Sequence, residues 1–520
     1  MGRSTSLPSA EDLRELAQPV IIVNKKLNRT YKVYAGGGKI IHEESGTDAA
    51  GHVVFSESHE IAYTVGAGDV GKSYLVSKGD SLFVSPISYY TRIHSWDLSP
   101  GYREGAFRGF TRRVVDLCAD CHTGWPVVVP GSHDRFQQPP FRSLAIGCER
   151  CHGPGATHVA QRAGGGSTDP FIVNPRKLAP DLRDNVCAQC HLAGDARVLQ
   201  PGKTYLDFRP GTPLSEVVAI FSVPQAIKGN HFVALDQFEE MKLSRCWMAS
   251  KGRLGCISCH DPQVQLHGDD AVDFFRSRCL TCHTSGSCTA SLAKRRATAP
   301  PDNCILCHMP QQPSENIGHS SLTDHRILRT QSEIPPPLQN GTSAPLDLIY
   351  DTKPSDASEA QNLRNLALAY AQVGGRYPEL GEKGLAILEQ AATAFPADAE
   401  VLAAFGNALL VARPGAQQRA AQVLQKAIDA GSKSPEVHTR LARLRLQQGH
   451  VTAAMDLYKE SIQMDPYFMP AYVDLAQVYS TLKDRQNALE MLDRVLKVDP
   501  GNDGARQERL KVAASPAEIR

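Results

Sequence analysis

The string Cys-x-x-Cys-His occurs six times, at Cys118/Cys121/His122, Cys148/Cys151/His152, Cys187/Cys190/His191, Cys256/Cys259/His260, Cys279/Cys282/His283 and Cys304/Cys307/His308. Fourteen cysteines and eighteen histidines placed independently along 520 residues would give only about 0.01 such strings. The spacing is therefore a requirement, and it consumes twelve of the fourteen cysteines. It suits covalent haem c, in which two thiols add to the porphyrin vinyl groups and the next imidazole ligates the iron. Each string thus predicts one haem, six in this chain. The competing chemistries fit less well. A zinc half-site has no reason to be followed by histidine every time. A redox Cys-x-x-Cys belongs at one helix start and does not recur along a chain. Disulfides would not enforce one repeated spacing.

A chain of 520 residues holds two or more domains, and a net charge of +1 gives no argument for nucleic acid or an anionic membrane surface. No apolar run approaches the roughly 18 residues of a membrane span. Haem c is attached outside the cytoplasm, which predicts a periplasmic or secreted protein. Residues 1–10 nevertheless lack a basic n-region and an apolar h-region. The start of this sequence is accordingly expected to lie inside a longer gene product.

Four regions follow from composition and period. Residues 1–95 read as a small β-rich N-terminal region, with "VIIV", "TYKVYA", "KIIHEE", "HVVF", "IAYTV" and "SYLV" separated by Gly, Asp and Ser clusters. Residues 96–330 carry all six attachment strings and are expected to be loops and short helices, with one longer helix at about 232–250. Residues 331–358 form a Pro-rich linker. In residues 359–520, Ala442, Gly449, Ala454, Tyr458 and Pro466 recur 34 positions later as Ala476, Lys483, Ala488, Leu492 and Pro500. That is the tetratricopeptide register, and about four copies make an all-α solenoid.

The segment from about residue 63 to 327 resembles the multihaem cytochromes c of the hydroxylamine-oxidoreductase-like (doubled CxxCH) superfamily, in the branch fused to tetratricopeptide repeats. "YTVGAGDVGKSYL", "WDLSPGY", "GCERCHGPGATHV", "SRCWMASKGRLGCISCHDP", "CHMP" and "HSSLTDHRI" carry the likeness. The resemblance implies that one more attachment string and a signal peptide precede "MGRS", hence one more haem in the full-length product.

Six irons need up to six distal ligands, and ten histidines outside the strings precede the repeats. The resemblance points to His158 and His325, and to His319 beside the latter; His231, at the start of the expected helix, is a fourth candidate. Where the family often has histidine directly after "CHDP", this chain has Gln263. The haem on His260 is then expected to borrow His267 or to keep an open sixth position, where substrate could react. His438 and His450 are expected at the repeat surface, and Cys246 and Cys288 as packed or free thiols.

Together these features predict an electron carrier whose repeats dock a redox protein partner. The alternative is an oxidoreductase acting on a small nitrogen or sulfur compound at an open-coordination haem, and a third reading makes the repeats an assembly scaffold.

Overall fold

The computed structural model describes residues 2–14, 16, 18–103, 105, 107–132, 134–166, 171–223, 237–266, 268–313, 321–330, 347–348 and 358–514. These divide into two compact units: Arg3–Ala145 with Ser358–Arg520, and Met1–Gly2 with Ile146–Ala357.

In the first unit the short β-branched runs become antiparallel strands: β1 Thr5–Ser6, β2 Val20–Asn24, β3 Arg29–Gly36, β4 Lys39–Thr47, β5 Val53–Glu60, β6 Tyr63–Val65, β7 Gly71–Lys78, β8 Ser81–Val84, β9 Ile87–Tyr90 and β10 Ser95–Leu98. Strands β2-β3-β4-β5 form one sheet in that order. A second runs β1-β6-β7-β9-β10, with β8 on β7. Gly37 and Gly38, both at positive φ, make the two-residue turn that sets the β3/β4 register. Alternation then sends Tyr31 and Val33 of β3 and Ile40, His42 and Glu44 of β4 inward. Tyr31, Val33, Ile40, Tyr74, Phe83, Ile87, Trp96 and Phe110 close the core. The same unit carries the first Cys-x-x-Cys-His on the helix Asp116–His122, where Ala119 packs with Leu75, Leu82, Phe136 and Phe141.

Nine α-helices among the described residues follow residue 358: α1 Glu359–Gly374, α2 Gly381–Ala394, α3 Ala399–Ala412, α4 Gln417–Asp429, α5 Pro435–Gln447, α6 Val451–Met464, α7 Met469–Thr481, α8 Arg485–Val498 and α9 Asp503–Ala514. They form four helical hairpins and a closing helix. Ala442, Ala454 and Tyr458, with their 34-residue equivalents Ala476, Ala488 and Leu492, are all buried. Small residues there let the paired helices approach; a Cβ on Gly406 would lie 2.6 Å from Leu424 Cδ2. His438 is a correction: it is 2% exposed, with Nδ1 on the Ser434 carbonyl at 2.9 Å, not at the surface. An α-helical position facing the preceding turn buried it.

The second unit is short helices with small hairpins. Strand Ala196–Leu199 pairs antiparallel with Val218–Ser222, and Gln311–Pro313 with Ser321–Thr323. These add strands that loops and short helices alone did not predict. The expected 232–250 helix is described from Gln237 onward, and it is split: Gln237–Leu243 ends before Ser244, whose hydroxyl caps Arg245–Ala249 by accepting from Trp247 N. The core, Ala188, Leu192, Phe208, Leu214, Val218, Ile220, Phe238 and Met241, lies between residues 188 and 241. The linker lies outside the described residues except for 347–348 and 358. No helix among the described residues is long and apolar enough to cross a membrane.

Candidate functional site

The cysteine strings adopt helical turns. The i+4 bonds from His152 N to Cys148 O, His260 N to Cys256 O and His283 N to Cys279 O are 2.9, 2.9 and 3.0 Å. Helices Glu149–His152, Pro180–His191, Cys256–Cys259, Gly268–Leu280 and Cys304–His308 carry the other five strings wholly or in part. Residues i, i+3 and i+4 share one helical face, so both thiols and the imidazole of each string lie along the same side. None of the fourteen cysteines is joined in a disulfide.

The second unit gathers five strings. The Cys187 and Cys256 side chains hydrogen-bond, as do those of Cys279 and Cys304. The bond from Cys187, with burial, holds the Cys256 thiol up, and the Cys279 bond draws Cys304 down to about 6. Burial pushes Cys151 up to about 11, with Cys187 and Cys190 adding to the rise. Burial, and then Cys246, half-buried on Arg245–Ala249, raise the Cys259 thiol, and Cys288 is exposed.

The string thiols differ in exposure. Cys118, Cys148, Cys282 and Cys307 are exposed, whereas the other eight are partly buried. In the fifth and sixth strings the first cysteines, Cys279 and Cys304, meet each other, and the second ones do not share that contact. Cys282 lies beyond the end of Gly268–Leu280, in a turn where its sulfur is 3.8 Å from Thr281 Oγ1. Cys307 stands beside the exposed Leu306 on the four-residue-plus-histidine turn Cys304–His308, which buries no residue. The physical reason is local: spacing fixes where a thiol sits along a helical turn, while its exposure depends on what packs against that turn.

Three of the predicted ligand histidines make the same backbone contact. His152 Nδ1 donates to Val173 O at 2.7 Å, His308 Nδ1 to Leu328 O at 2.8 Å, and His325 Nδ1 to Thr323 O at 2.8 Å. For two of them the contact is doubled, because Val173 N donates to His152 O and Leu328 N to His308 O, at 3.0 and 2.9 Å. A proton fixed on Nδ1 leaves the Nε2 lone pair bare, the arrangement a metal-bound imidazole requires. His325 is set further by the buried Glu240, whose Oε2 accepts from His325 N at 2.8 Å, and by the adjoining Asp324–Arg326 pair.

His325 is brought to His260. Their ring centroids are 6.1 Å apart with 29° between planes, and Phe275 stands edge-on to His260 at 5.4 Å. Desolvation, and then His325 and His191, lower the His260 pKa; desolvation likewise lowers His325. Both shifts favour the neutral ring, the form in which an imidazole can bind a metal. His158 is half-buried on Ala156–Ala163, directly after the second string. His231, His319 and His267 lie outside the described residues. Gln263 sits in an exposed turn closed by its N–H on Asp261 Oδ1. His122, in the first unit, accepts at its carbonyl from Thr5 Oγ1 at 2.8 Å. Sequence reasoning missed the Val173 and Leu328 carbonyls and Glu240; nothing in their residue types marks them, because the contacts are made by backbone or span more than twenty positions.

The donor set fits haem c in its chemistry: thiols outside any disulfide at the attachment spacing, an imidazole directly after each second thiol, and residues 256–310 in which no described side chain is buried by protein.

Residues 445–512 match the model of the tetratricopeptide repeat, and the C-terminal helices form a domain of such repeats. No curated protein matches the chain. Among solved structures, the chain is similar to MamA from Desulfovibrio magneticus RS-1, with 21% identity over 30% of this chain and 84% of that one and a TM-score of 0.27. It is similar to YrrB, a TPR protein with an unusual peptide-binding site, with 17% identity over 29% and 80% and a TM-score of 0.25. The first TPR of Spaghetti, bound to an HSP90 peptide, gives 22% identity over 22% and 90% and a TM-score of 0.21.

Proposed function

We propose that this chain is an extracytoplasmic multihaem cytochrome c that passes electrons along six haems and docks a redox protein partner through its repeats. The observation that carries it is the sixfold Cys-x-x-Cys-His spacing, and the Nδ1-to-carbonyl contacts of His152, His308 and His325 leave their Nε2 atoms available to a metal. The twelve string cysteines would hold the haems as thioethers, the exposed Cys282 and Cys307 included, and His122, His152, His191, His260, His283 and His308 would ligate from one side. His158 and His325, with His319 and His231, are the proposed distal ligands. Bound in this way the haem supplies reversible one-electron chemistry, with its potential set by ligation and exposure. Tetratricopeptide repeats are docking modules, which gives the partner a place to bind.

His260 and His325, with ring centroids 6.1 Å apart, would be close enough to hold one iron together. This pairing favours a carrier over an oxidoreductase with an open haem on His260. The test is electron paramagnetic resonance with a pyridine haemochrome count, on the full chain expressed behind a signal peptide in a host that matures cytochromes c. Six low-spin haems support the proposal, and His325→Ala should turn one of them high-spin without changing the count. One high-spin haem in the unsubstituted protein would favour the enzyme. A count near zero with bound zinc would overturn both.

A further inference from the structure

Within the unit that joins the β-sheets to the repeats, two helix ends 34 residues apart are seated on the sheet by cations. Arg135 Nη1 donates to Met464 O at the end of α6, and Lys78 Nζ to Val498 O at the end of α8, at 2.8 and 3.2 Å. Both contacts suit the negative end of a helix. The aspartates that follow are treated differently. Asp465 is paired with Arg113, whereas Asp499 accepts from Asn502 Nδ2 and lies near Glu57 as well as Arg29 and Lys78. A Cβ placed on the buried Gly109 would lie 3.1 Å from Glu57 Oε1, 3.4 Å from Glu44 Oε2 and 3.8 Å from Asp499 Oδ1. Three carboxylates from β4, β5 and the α8/α9 turn therefore converge on one point. Glu44 is 1% exposed, and its Oε2, like Glu57 Oε1, has no hydrogen-bond partner.

The cations nearby are Arg29, 3.5 Å from Glu44 and donating to Gly501 O, and Lys78, 3.9 Å from Glu57. Tyr31 hydrogen-bonds Glu44, and Arg108 lies in its field. His59 Nε2 is 2.9 Å from Glu57 Oε2, and the exposed Asp503 is 3.8 Å from Arg29. Three inward carboxylates against Arg29 and the partly buried Lys78 leave one negative charge uncompensated in a largely buried interface, which is costly. A proton on an orphaned oxygen removes that charge and supplies a donor to the neighbouring carboxylate. A divalent cation would have to enter beside two fixed positive charges.

We propose that the seat of the last repeat on the β-sheet is a proton-dependent clamp, closed while Glu44 carries a proton and loosened when the proton leaves. Burial, then Glu57, and further Asp499 push Glu44 up to about 8, and burial with Glu57 raises Asp499. A carboxyl lifted from 4.5 keeps its proton in the clamp where an exposed one has released it. The clamp is then at full strength below pH 4.5 and weakens until about pH 8.

Hydrogen exchange followed by mass spectrometry on the full haem-loaded chain tests this, with rates corrected for the intrinsic dependence on pH. Protection of peptides spanning 40–48 and 495–512 should fall between pH 6 and 8 by as much as about tenfold per unit, the limit for one proton. Glu44→Gln should abolish the dependence. If Glu44→Gln does not fold, Asp499→Asn must move the midpoint to lower pH, and an unmoved midpoint overturns the proposal. Flat protection in the unsubstituted protein, the same loss in Glu44→Gln, loss of the dependence in His59→Gln alone, or restored protection at pH 9 with calcium chloride would each overturn it.

Discussion

The two compact units bury apolar surface in opposite ways. In the sheet-and-repeat unit, burial follows the backbone: alternate residues of β3 and β4, and the equivalent pairs Ala442/Ala476, Ala454/Ala488 and Tyr458/Leu492 of α5 to α8, face inward. In the second unit the protein core gathers Ala188 to Met241, with Trp247, Leu254 and Cys256 against it, and residues 256–310 bury no described side chain although they carry three Cys-x-x-Cys-His strings. Periodicity records what a chain packs against. A segment that packs on itself shows a period of two or 3.6; one built around a prosthetic group shows the spacing of its attachments instead.

The strongest way to break this comparison is to withhold the haem. A chain made without cytochrome c maturation should lose residues 146–310 to trypsin while residues 3–145 and 358–514 survive, as mass spectrometry of the fragments would show. Equal survival of both would mean that the second unit folds on protein contacts alone. A smaller effect sharpens the other side. Leu492, 1% exposed in α8, when replaced by alanine should cost about 2–5 kcal/mol in urea denaturation followed by far-ultraviolet circular dichroism. The absorbance of the proposed haems should not change; a change would mean that the repeats share stability with the region of the Cys-x-x-Cys-His strings. The smallest effect lies at the turn of the last hairpin. Lys483 has φ +63° where its equivalent 34 residues earlier is Gly449 at +82°. The left-handed backbone costs a side chain about 1 kcal/mol. Lys483→Gly removes that cost but adds chain entropy when unfolded, for a net gain of about 0.5 kcal/mol. A raised urea midpoint is the readout.

The strands of residues 20–95 and the repeat positions were legible because alternation and the 34-residue register are local consequences of self-packing. The helix at 232–250 was read as one element because its apolar spacing runs through Ser244, while the break comes from that serine's hydroxyl capping a new helix. His438 was misplaced because polarity was taken for exposure, yet a backbone carbonyl satisfies its Nδ1 inside the repeat. Six identical strings likewise hid the difference between the paired Cys279 and Cys304 and the exposed Cys282 and Cys307, because the pairing is a contact between strings.

By itself the sequence determined the sixfold Cys-x-x-Cys-His spacing and the repeat architecture, since residue spacing and short-range periodicity are written in order along the chain. Only the tertiary structure decided that His325 meets His260, that Val173 and Leu328 orient His152 and His308, and that Glu44, Glu57 and Asp499 converge on Gly109. Those contacts join residues 20 to more than 400 positions apart, and no local rule of order or spacing encodes which distant groups a fold brings within a few ångströms.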